Sequence, residues 1–497
     1  MADENDFSVP AYPQAISDSC PLCKMGFGVE REAPFDIGSV SIRHESCVSI
    51  LTGYHGLPIR NYPFKSGFNE ICVADTPTGM ASDYGPVARL TGSSFNSPPK
   101  MAQTQFEWNK MYRLLESHFR TYVLPNIFPV RRHDENSSIR FDLDPFAVYS
   151  NTAYLYSCLV VAAQHLKPSC CNAGNEFLNY AIVRYRYGAT RTLLDALVKN
   201  ETQWQTFEAI LRIISLETAV GTFNKSLLGL SWDQHFEAAS HLLQTLYPSL
   251  NPLDSSMASP QIRFHIAIYA WIDILGATIK GRPPRLAHIY RERCFSEPSS
   301  GLGIRELMGC DDRVMCLISQ IACLESQKDD MYIDLLFESI DKIDSHMKEA
   351  LSRDLRAQMP FDATCRILLS QLCDNITMAF LIAARIYLYS LRPGFHPTQP
   401  DTVQLVDRLT TILQHIPLGF DHSMTWVYLI GGSVAVPNSL FRSLFESRIS
   451  GLRLTARFGN MERLRILLFK VWTKNDKAQY SAWRDVMISE NCELLLI

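Results

Sequence analysis

The chain has 497 residues, of which 47% are hydrophobic, so it can bury a large core, which excludes a disordered protein. Its formal net charge of −4 excludes a chain-wide excess of positive charge for binding nucleic acid. The 14 cysteines have no repeating spacing, which is typical of intracellular thiols packed as small hydrophobic side chains. The polar start MADENDFSVP and the interrupted apolar runs predict neither secretion nor a membrane span.

Residues 1–100 are rich in Pro, Gly and Ser and show no long helical periodicity, which predicts an irregular, partly disordered N-terminal segment. This segment contains Cys20 and Cys23 in a C-x2-C pair, followed by His44 and Cys47 in HESC. Together these four side chains have the types and the number that a zinc site needs. The alternative is a chance cysteine pair in a loose segment, and we assign no metal or other cofactor.

From residue 101 onward the apolar residues follow a helical period. The first run places six side chains on one face and is predicted to end at Pro125: Trp108, Met111, Tyr112, Leu115, Phe119 and Tyr122. Further runs predict helices at about 145–166, 175–199, 203–220, 231–247, 259–280, 310–327, 330–355, 361–391, 401–416 and, in pieces, 438–488. Strand-like alternation is almost absent. Residues 101–497 are therefore predicted to form a large all-α domain.

Two acidic clusters are candidates for metal chemistry: Asp329, Asp330 and Asp334 in DDMYID, and Asp311 and Asp312 in CDDRV. Carboxylates of this kind hold Mg²⁺ in some all-α enzymes. The second metal-binding element of such enzymes, with Asn, Ser and Glu at helical spacing, is missing from a suitable downstream helix. Acidic residues in a first helical turn also serve as caps that match the helix dipole.

Two glycine-containing segments and a basic C-terminal region complete the candidates. GRPPRL (281–286) predicts a helix end. Its arginines, Arg282 and Arg285, are expected to be solvated loop side chains, and an anion site is the alternative. GGSVA around Ser433 partly resembles a nucleophile elbow, but Ala435 occupies the second Gly position, so close helix packing is the simpler interpretation. The basic residues between 441 and 484 predict a solvated helix face or a weak anionic-partner surface.

Six segments occur in an order that is typical of one family: WDQHFEAASHLL (232–243), IYAWIDILGATIKGRPPRL (268–286), GLGIRELMGCDDRVMCLISQIACLE (301–325), AFLIAARIYLYSL (379–391), TWVYLIGGSVA (425–435) and RFGNMERLRILLFKVW (457–472). Over roughly residues 105–490 the chain resembles the fungal-specific transcription factor domain, of the type found in the acriflavine sensitivity control protein. The motif residues that carry this resemblance are Trp232, His235, Ala239, Gly281, Arg282, Pro283, Pro284, Gly309, Cys310, Trp426 and Gly431.

The resemblance implies a nuclear regulator of a drug-resistance pathway or a secondary-metabolite gene cluster. Members of the family typically bind DNA through a binuclear zinc cluster of six cysteines near the N-terminus. This chain departs from that pattern, because Glu30 stands where the third cysteine is required. Residues 1–100 also hold seven Lys and Arg against eleven Asp and Glu, whereas a DNA-contacting module is locally positive. We therefore expect that Cys20 and Cys23 are not part of such a cluster.

We predict a transcription regulator, not an enzyme, that acts through its helical domain. Its partners are expected to be other regulators or a second copy, bound through exposed apolar helix faces. DNA is contacted either indirectly, through a partner, or through a surface that the sequence does not reveal. Regulation by a small-molecule effector bound in the helical core is an alternative that the sequence leaves open. Two other classes also stay open: an all-α metal-dependent enzyme built on Asp329, Asp330 and Asp334, and a scaffold of stacked helix pairs. The enzyme requires these carboxylates to face a cavity beside a second acidic cluster.

Overall fold

The computed structural model of the chain describes residues 100–132, 151–170, 172–199, 203–220, 231–246, 260–294, 301–351, 357–455, 459–477, 480–490 and 495. Within these ranges the fold is all-α, as predicted, and the β-type pairing is a single bridge between Phe361 and Ile367. The predicted irregular segment, with Cys20, Cys23, His44 and Cys47, lies outside the described residues.

The helices are numbered in chain order over the described residues. The first eight are α1 (Lys100–His118), α2 (Leu124–Ile127), α3 (Pro129–Arg132), α4 (Thr152–Leu166), α5 (Asn172–Lys199), α6 (Gln203–Val220), α7 (Trp232–Leu246) and α8 (Pro260–Lys280). The others are α9 (Ala287–Cys294), α10 (Ile304–Met308), α11 (Asp312–Gln327), α12 (Ile333–Leu351), α13 (Leu369–Tyr389), α14 (Pro400–Gln414), α15 (Thr425–Ser433), α16 (Leu440–Thr455), α17 (Gly459–Asn475) and α18 (Trp483–Ser489).

Helices α8 and α13 lie at the centre of the fold. Both are long and apolar enough to span a membrane by length and composition, but 89% and 83% of their apolar windows are buried by the surrounding helices. Burial of this extent is typical of helices in the core of a fold. Trp271 of α8 and Phe380 of α13 pack edge to face at 5.4 Å, and Phe380 stacks on Trp426 of α15 at 5.8 Å.

The buried hydrophobic side chains from α1 to α18 form one contiguous cluster. The short connection between α4 and α5 makes them an antiparallel pair, in which Tyr156 stacks on Tyr185 at 5.9 Å. The chain end packs into the same core, since Leu495 is only 3% exposed. A scaffold of stacked helix pairs would show successive local cores instead.

The prediction that Pro125 ends the first helix is wrong. After α1 the chain continues through a π-helical turn, Phe119–Val123, into α2, where Pro125 occupies the first turn. Proline is tolerated there because its missing N–H is among those that have no partner at a helix start. The wider turn places Val123 on the buried side with Phe119 and leaves Tyr122 54% exposed, so Tyr122 does not share the predicted buried face.

The helix predicted for 361–391 begins eight residues late, at Leu369. The side-chain oxygen of Asp362 accepts hydrogen bonds from the N–H groups of Thr364 and Arg366, which closes a tight turn. An aspartate that binds its neighbouring backbone in this way competes with helix formation. Cys365 completes the turn with a φ of 62°.

Candidate functional site

The GRPPRL segment forms a turn whose backbone is bound by one buried carboxylate. Gly281 ends α8 with a φ of 64°, as the sequence predicted. Asp273 accepts hydrogen bonds from the N–H groups of Arg285 at 2.9 Å and Leu286 at 3.1 Å. It also accepts one from the hydroxyl of Tyr290, on α9, at 3.0 Å. Burial raises the pKa of Asp273, and these donors oppose part of that rise.

The two arginines of this turn form ion pairs with α7, so the prediction of solvated loop side chains is wrong. Arg282 lies 2.6 Å from Asp233, and Arg285 contacts Glu237. Both acids belong to the WDQHFEAASHLL segment, so two of the six sequence landmarks meet here. Trp232, at the start of α7, packs so closely on α8 that a Cβ added at Gly276 would lie 2.9 Å from its ring.

A buried polar cluster connects the end of α8 with α11, α13 and α18. Arg484 donates to both carboxylate oxygens of Glu325, at 2.7 and 2.9 Å, and to the carbonyl of Ile279 at 3.3 Å. Tyr387 donates its hydroxyl to Glu325 at 2.5 Å. Glu325 is only 8% exposed. The hydrogen bonds from Arg484 and Tyr387 compensate its charge inside the core. The motif residue Trp426 reaches the same end of α8, because its indole N–H donates to the Thr278 hydroxyl at 2.8 Å.

Gly309 and Cys310 form the turn between α10 and α11. Gly309 has a φ of 85°, and a Cβ at this position would lie 2.8 Å from Ile376. The Thr377 hydroxyl accepts the N–H of Asp311 at 3.0 Å and donates to the Gly309 carbonyl at 3.3 Å. Burial raises the pKa of the Cys310 thiol well above its usual range, so the side chain packs as a neutral group.

The other motif residues also serve packing. A Cβ at Gly431 would lie 2.6 Å from Leu409, so α15 needs glycine to approach α14 closely. Ala239 and His235 are fully buried on α7, and neither ring nitrogen of His235 has a hydrogen-bond partner within the described ranges. The Ser433 hydroxyl donates to the carbonyl of Ile430, which leaves it in a packed helix end.

The two acidic clusters do not meet. Asp329 and Asp330 lie exposed in a single 3₁₀ turn, and Asp334 is exposed in the first turn of α12. Asp312 starts α11, and its carboxylate accepts hydrogen bonds from the N–H groups of Gly303 and Ile304. The 16 residues of α11 separate the clusters by about 24 Å. Nowhere in the described residues do three or more His, Cys, Asp or Glu side chains group to hold a metal.

The core contains a cavity of about 30 Å³ between α6, α8, α10 and α17, lined by Ser215, Trp271, Met308, Ser423 and Asn460 among others. Trp271 lines this cavity, and its buried indole N–H has no hydrogen-bond partner among the residues that the structure describes. This volume fits one or two water molecules, whereas small-molecule sites usually enclose roughly 300–1,000 Å³. A larger groove of about 490 Å³ lies at the surface beside Arg385, Tyr389 and Arg408.

One long helix carries hydrophobic side chains on its outer side. On α5, Tyr180, Val183, Tyr187 and Val198 are 45%, 60%, 50% and 64% exposed. The opposite face of α5 is buried against the core through side chains such as Leu178 and Tyr185. The outer side of α5 therefore carries apolar side chains between its polar ones, such as Glu176 and Arg191, whereas a surface helix normally has a polar outer face.

Three of these features were not found from the sequence. The sequence analysis did not identify Asp273, although an acidic residue inside an apolar helix and eight residues before Gly281 is a signal for such a contact. Arg484 and Glu325 are 159 residues apart, so no local pattern connects them. The outer face of α5 was hidden because apolar residues on both faces blur the helical period.

Comparison with known proteins gives a family to this all-α domain of packed motif segments. Residues 113–497 match the fungal specific transcription factor domain. The chain is 34% identical over 535 residues to transcriptional regulatory protein pro1 of Neurospora crassa, an alignment that covers 99% of this chain and 76% of that protein. It is 22% identical over 317 residues to pestheic acid cluster transcriptional regulator 3 of Pestalotiopsis fici, covering 57% of this chain and 54% of that protein. No solved structure matches the chain.

The chain belongs to the fungal-specific transcription factor domain family, as the order of its six segments indicated. It is thus a member of a family of transcriptional regulators. Several of the motif residues, among them Trp232, Arg282 and Trp426, form contacts between helices.

Proposed function

We propose that this regulator works in the nucleus through protein contacts of its helical domain, without catalysing a reaction. The observation that carries this proposal is the exposed apolar outer face of α5, with Val183 60% and Tyr187 50% exposed. Contiguous exposed apolar surface of this kind marks protein–protein contact sites. Asp329 is exposed, whereas the carboxylate of Asp312 is bound by the N–H groups of Gly303 and Ile304, and the two lie at opposite ends of α11, which favours a regulator over a metal-dependent enzyme.

DNA is proposed to be reached through a partner. Residues 1–100 carry an acidic excess, and the rest of the chain holds as many Lys and Arg residues as Asp and Glu residues. In the C-terminal basic region, Arg442 pairs with Asp476 and Arg465 pairs with Glu462. These arginines are therefore already neutralised by the protein's own carboxylates, which leaves less charge for binding phosphates.

The target is proposed to be a secondary-metabolite gene cluster or a drug-resistance pathway. The relative from Pestalotiopsis fici, by its name, regulates the pestheic acid cluster. That similarity of 22% identity supports the class of target, and a secondary-metabolite cluster is the first set of promoters to examine.

Chromatin immunoprecipitation of the tagged full-length chain in fungal cells tests this function. The recovered DNA is then offered to the purified chain at about 0.15 M salt, where weak phosphate contacts are screened. Promoter occupancy in cells without direct binding in vitro is the expected result. Direct, sequence-specific binding by the purified chain would contradict indirect contact. Absence of the chain from all promoters would contradict the nuclear regulatory role.

A further inference from the structure

The apolar outer face of α5 extends onto an aromatic cluster of α1. The rings of Trp108 and Tyr180 lie 5.5 Å apart, and the guanidinium of Arg184 lies 4.1 Å from the centre of the Trp108 ring. Tyr180, Val183 and Tyr187 follow at spacings of three and four residues, the spacing of a helix–helix seam. Trp, Tyr and Arg are the residues most enriched among those that dominate protein–protein binding energy. This set of side chains on α5 and α1 is called the α5 seam.

We propose that the α5 seam binds the α5 seam of a second copy of this chain, with the two helices antiparallel. A two-fold axis beside Val183 places Tyr180 of one copy opposite Tyr187 of the other, because these residues lie at equal distances on either side of the axis. The same axis places Glu176 opposite Arg191. Each pairing occurs twice in a two-fold contact. The seam is therefore self-complementary, because aromatic side chains face aromatic side chains and each carboxylate faces a guanidinium.

The charged residues at the ends of the seam are available for this contact. Glu176 is exposed on the outer side of α5. Arg191 has a side-chain exposure of 69%, and its contact with Asp195 is 4.0 Å long, at the outer limit of an ion pair. Both side chains can therefore form an ion pair across the interface without breaking a strong ion pair within their own copy. An opposite orientation, with parallel helices, would instead place Glu176 beside Glu176 and Arg191 beside Arg191, which is unfavourable.

The size of the seam sets the expected strength. From Glu176 to Arg191 the helix is about 22 Å long, and one helix face of this length buries less area than the roughly 1,600 Å² of a stable dimer contact. The α1 ring beside it adds to this area. We therefore expect a reversible dimer with a dissociation constant on the order of micromolar. This dimer deepens the proposed function, on which it rests, by naming the partner.

Sedimentation velocity of the purified full-length chain tests the dimer at about 0.5–50 μM protein and 0.15 M salt. The wild-type chain is expected to shift from monomer to dimer with rising concentration. Val183→Glu is expected to raise the dissociation constant by about tenfold or more, because it places two carboxylates at the axis. Phe469→Glu is the matched control, since Phe469 is 59% exposed on α17 and lies outside the seam.

A charge reversal tests the orientation. Glu176→Arg and Arg191→Glu are each expected to weaken the dimer, and the double variant is expected to restore wild-type affinity, because the opposed charges are then exchanged. Circular dichroism confirms that each variant is folded. A wild-type chain that stays monomeric, a dimer that Val183→Glu leaves intact, or a double variant that is weaker than both single variants overturns the proposal. None of these results depends on promoter occupancy, so each is distinguishable from failure of the proposed function.

Discussion

At the scale of single residues, His235 makes the stability of the fold depend on pH. It is fully buried, neither ring nitrogen has a hydrogen-bond partner in the described part of the chain, and burial lowers its pKa to about 4. An unfolded chain has a histidine pKa of about 6.5. Between pH 6.5 and 4 the unfolded chain binds a proton at this histidine and the folded chain does not. The contribution of His235 to the unfolding free energy is therefore fully present above pH 6.5 and is lost as the pH falls towards 4.

We expect His235 alone to remove about 2 kcal/mol of unfolding free energy between pH 7 and pH 5. Replacing it by leucine should shrink the pH dependence by that amount, as measured by urea unfolding at both pH values. His241→Leu is the control, because this side chain is 66% exposed on the same helix. Equal pH dependence in the wild-type chain and in His235→Leu would contradict the lowered pKa of His235 in the folded chain.

At the scale of elements, one carboxylate determines how α9 follows α8. Replacing Asp273 by alanine leaves the N–H groups of Arg285 and Leu286 and the hydroxyl of Tyr290 without their acceptor. Each unsatisfied buried donor costs about 1–3 kcal/mol, so we expect Asp273→Ala to lower the unfolding free energy by about 3 kcal/mol or more. Tyr290→Phe, which removes one donor together with its bond, should cost only about 1 kcal/mol. Urea unfolding at pH 7 measures both, and similar losses would contradict this role of Asp273.

The same turn shows what the sequence can and cannot reveal. Its position follows from local chemistry, since Gly281 takes a left-handed conformation and proline cannot continue a helix. Helical periodicity likewise predicted most helices, because burial on one side selects apolar residues every three or four positions. The prediction failed at 361–368, where Asp362 binds its own backbone. Periodicity carries no information on such side-chain contacts, nor on which distant polar group pairs with Asp273.

At the scale of the whole molecule, the C-terminal helices α17 and α18 complete the core through contacts between residues that are far apart in the sequence. Helix α18 brings Arg484 to Glu325, which is buried on α11, and Asn460 of α17 donates to the carbonyl of Leu495 at 2.7 Å. The core includes residues near both ends of the matched range, 113–497, since Leu115 and Leu495 belong to the same buried cluster. Loss of the last elements is expected to expose apolar surface from α8 and to leave a buried charge without its partner.

Arg484→Leu tests this closure. Removing one partner of a buried ion pair costs about 3–5 kcal/mol, because the remaining charge stays buried without compensation. Adding Glu325→Gln removes that charge while its amide oxygen still accepts the hydroxyl of Tyr387, so the double variant is expected to be more stable than Arg484→Leu alone. Arg465→Ala, which breaks a surface pair with Glu462 on one helix, should cost about 0.5 kcal/mol or less. Urea unfolding of the four chains decides: a double variant no more stable than Arg484→Leu would show that the arginine acts by packing, not by compensating Glu325.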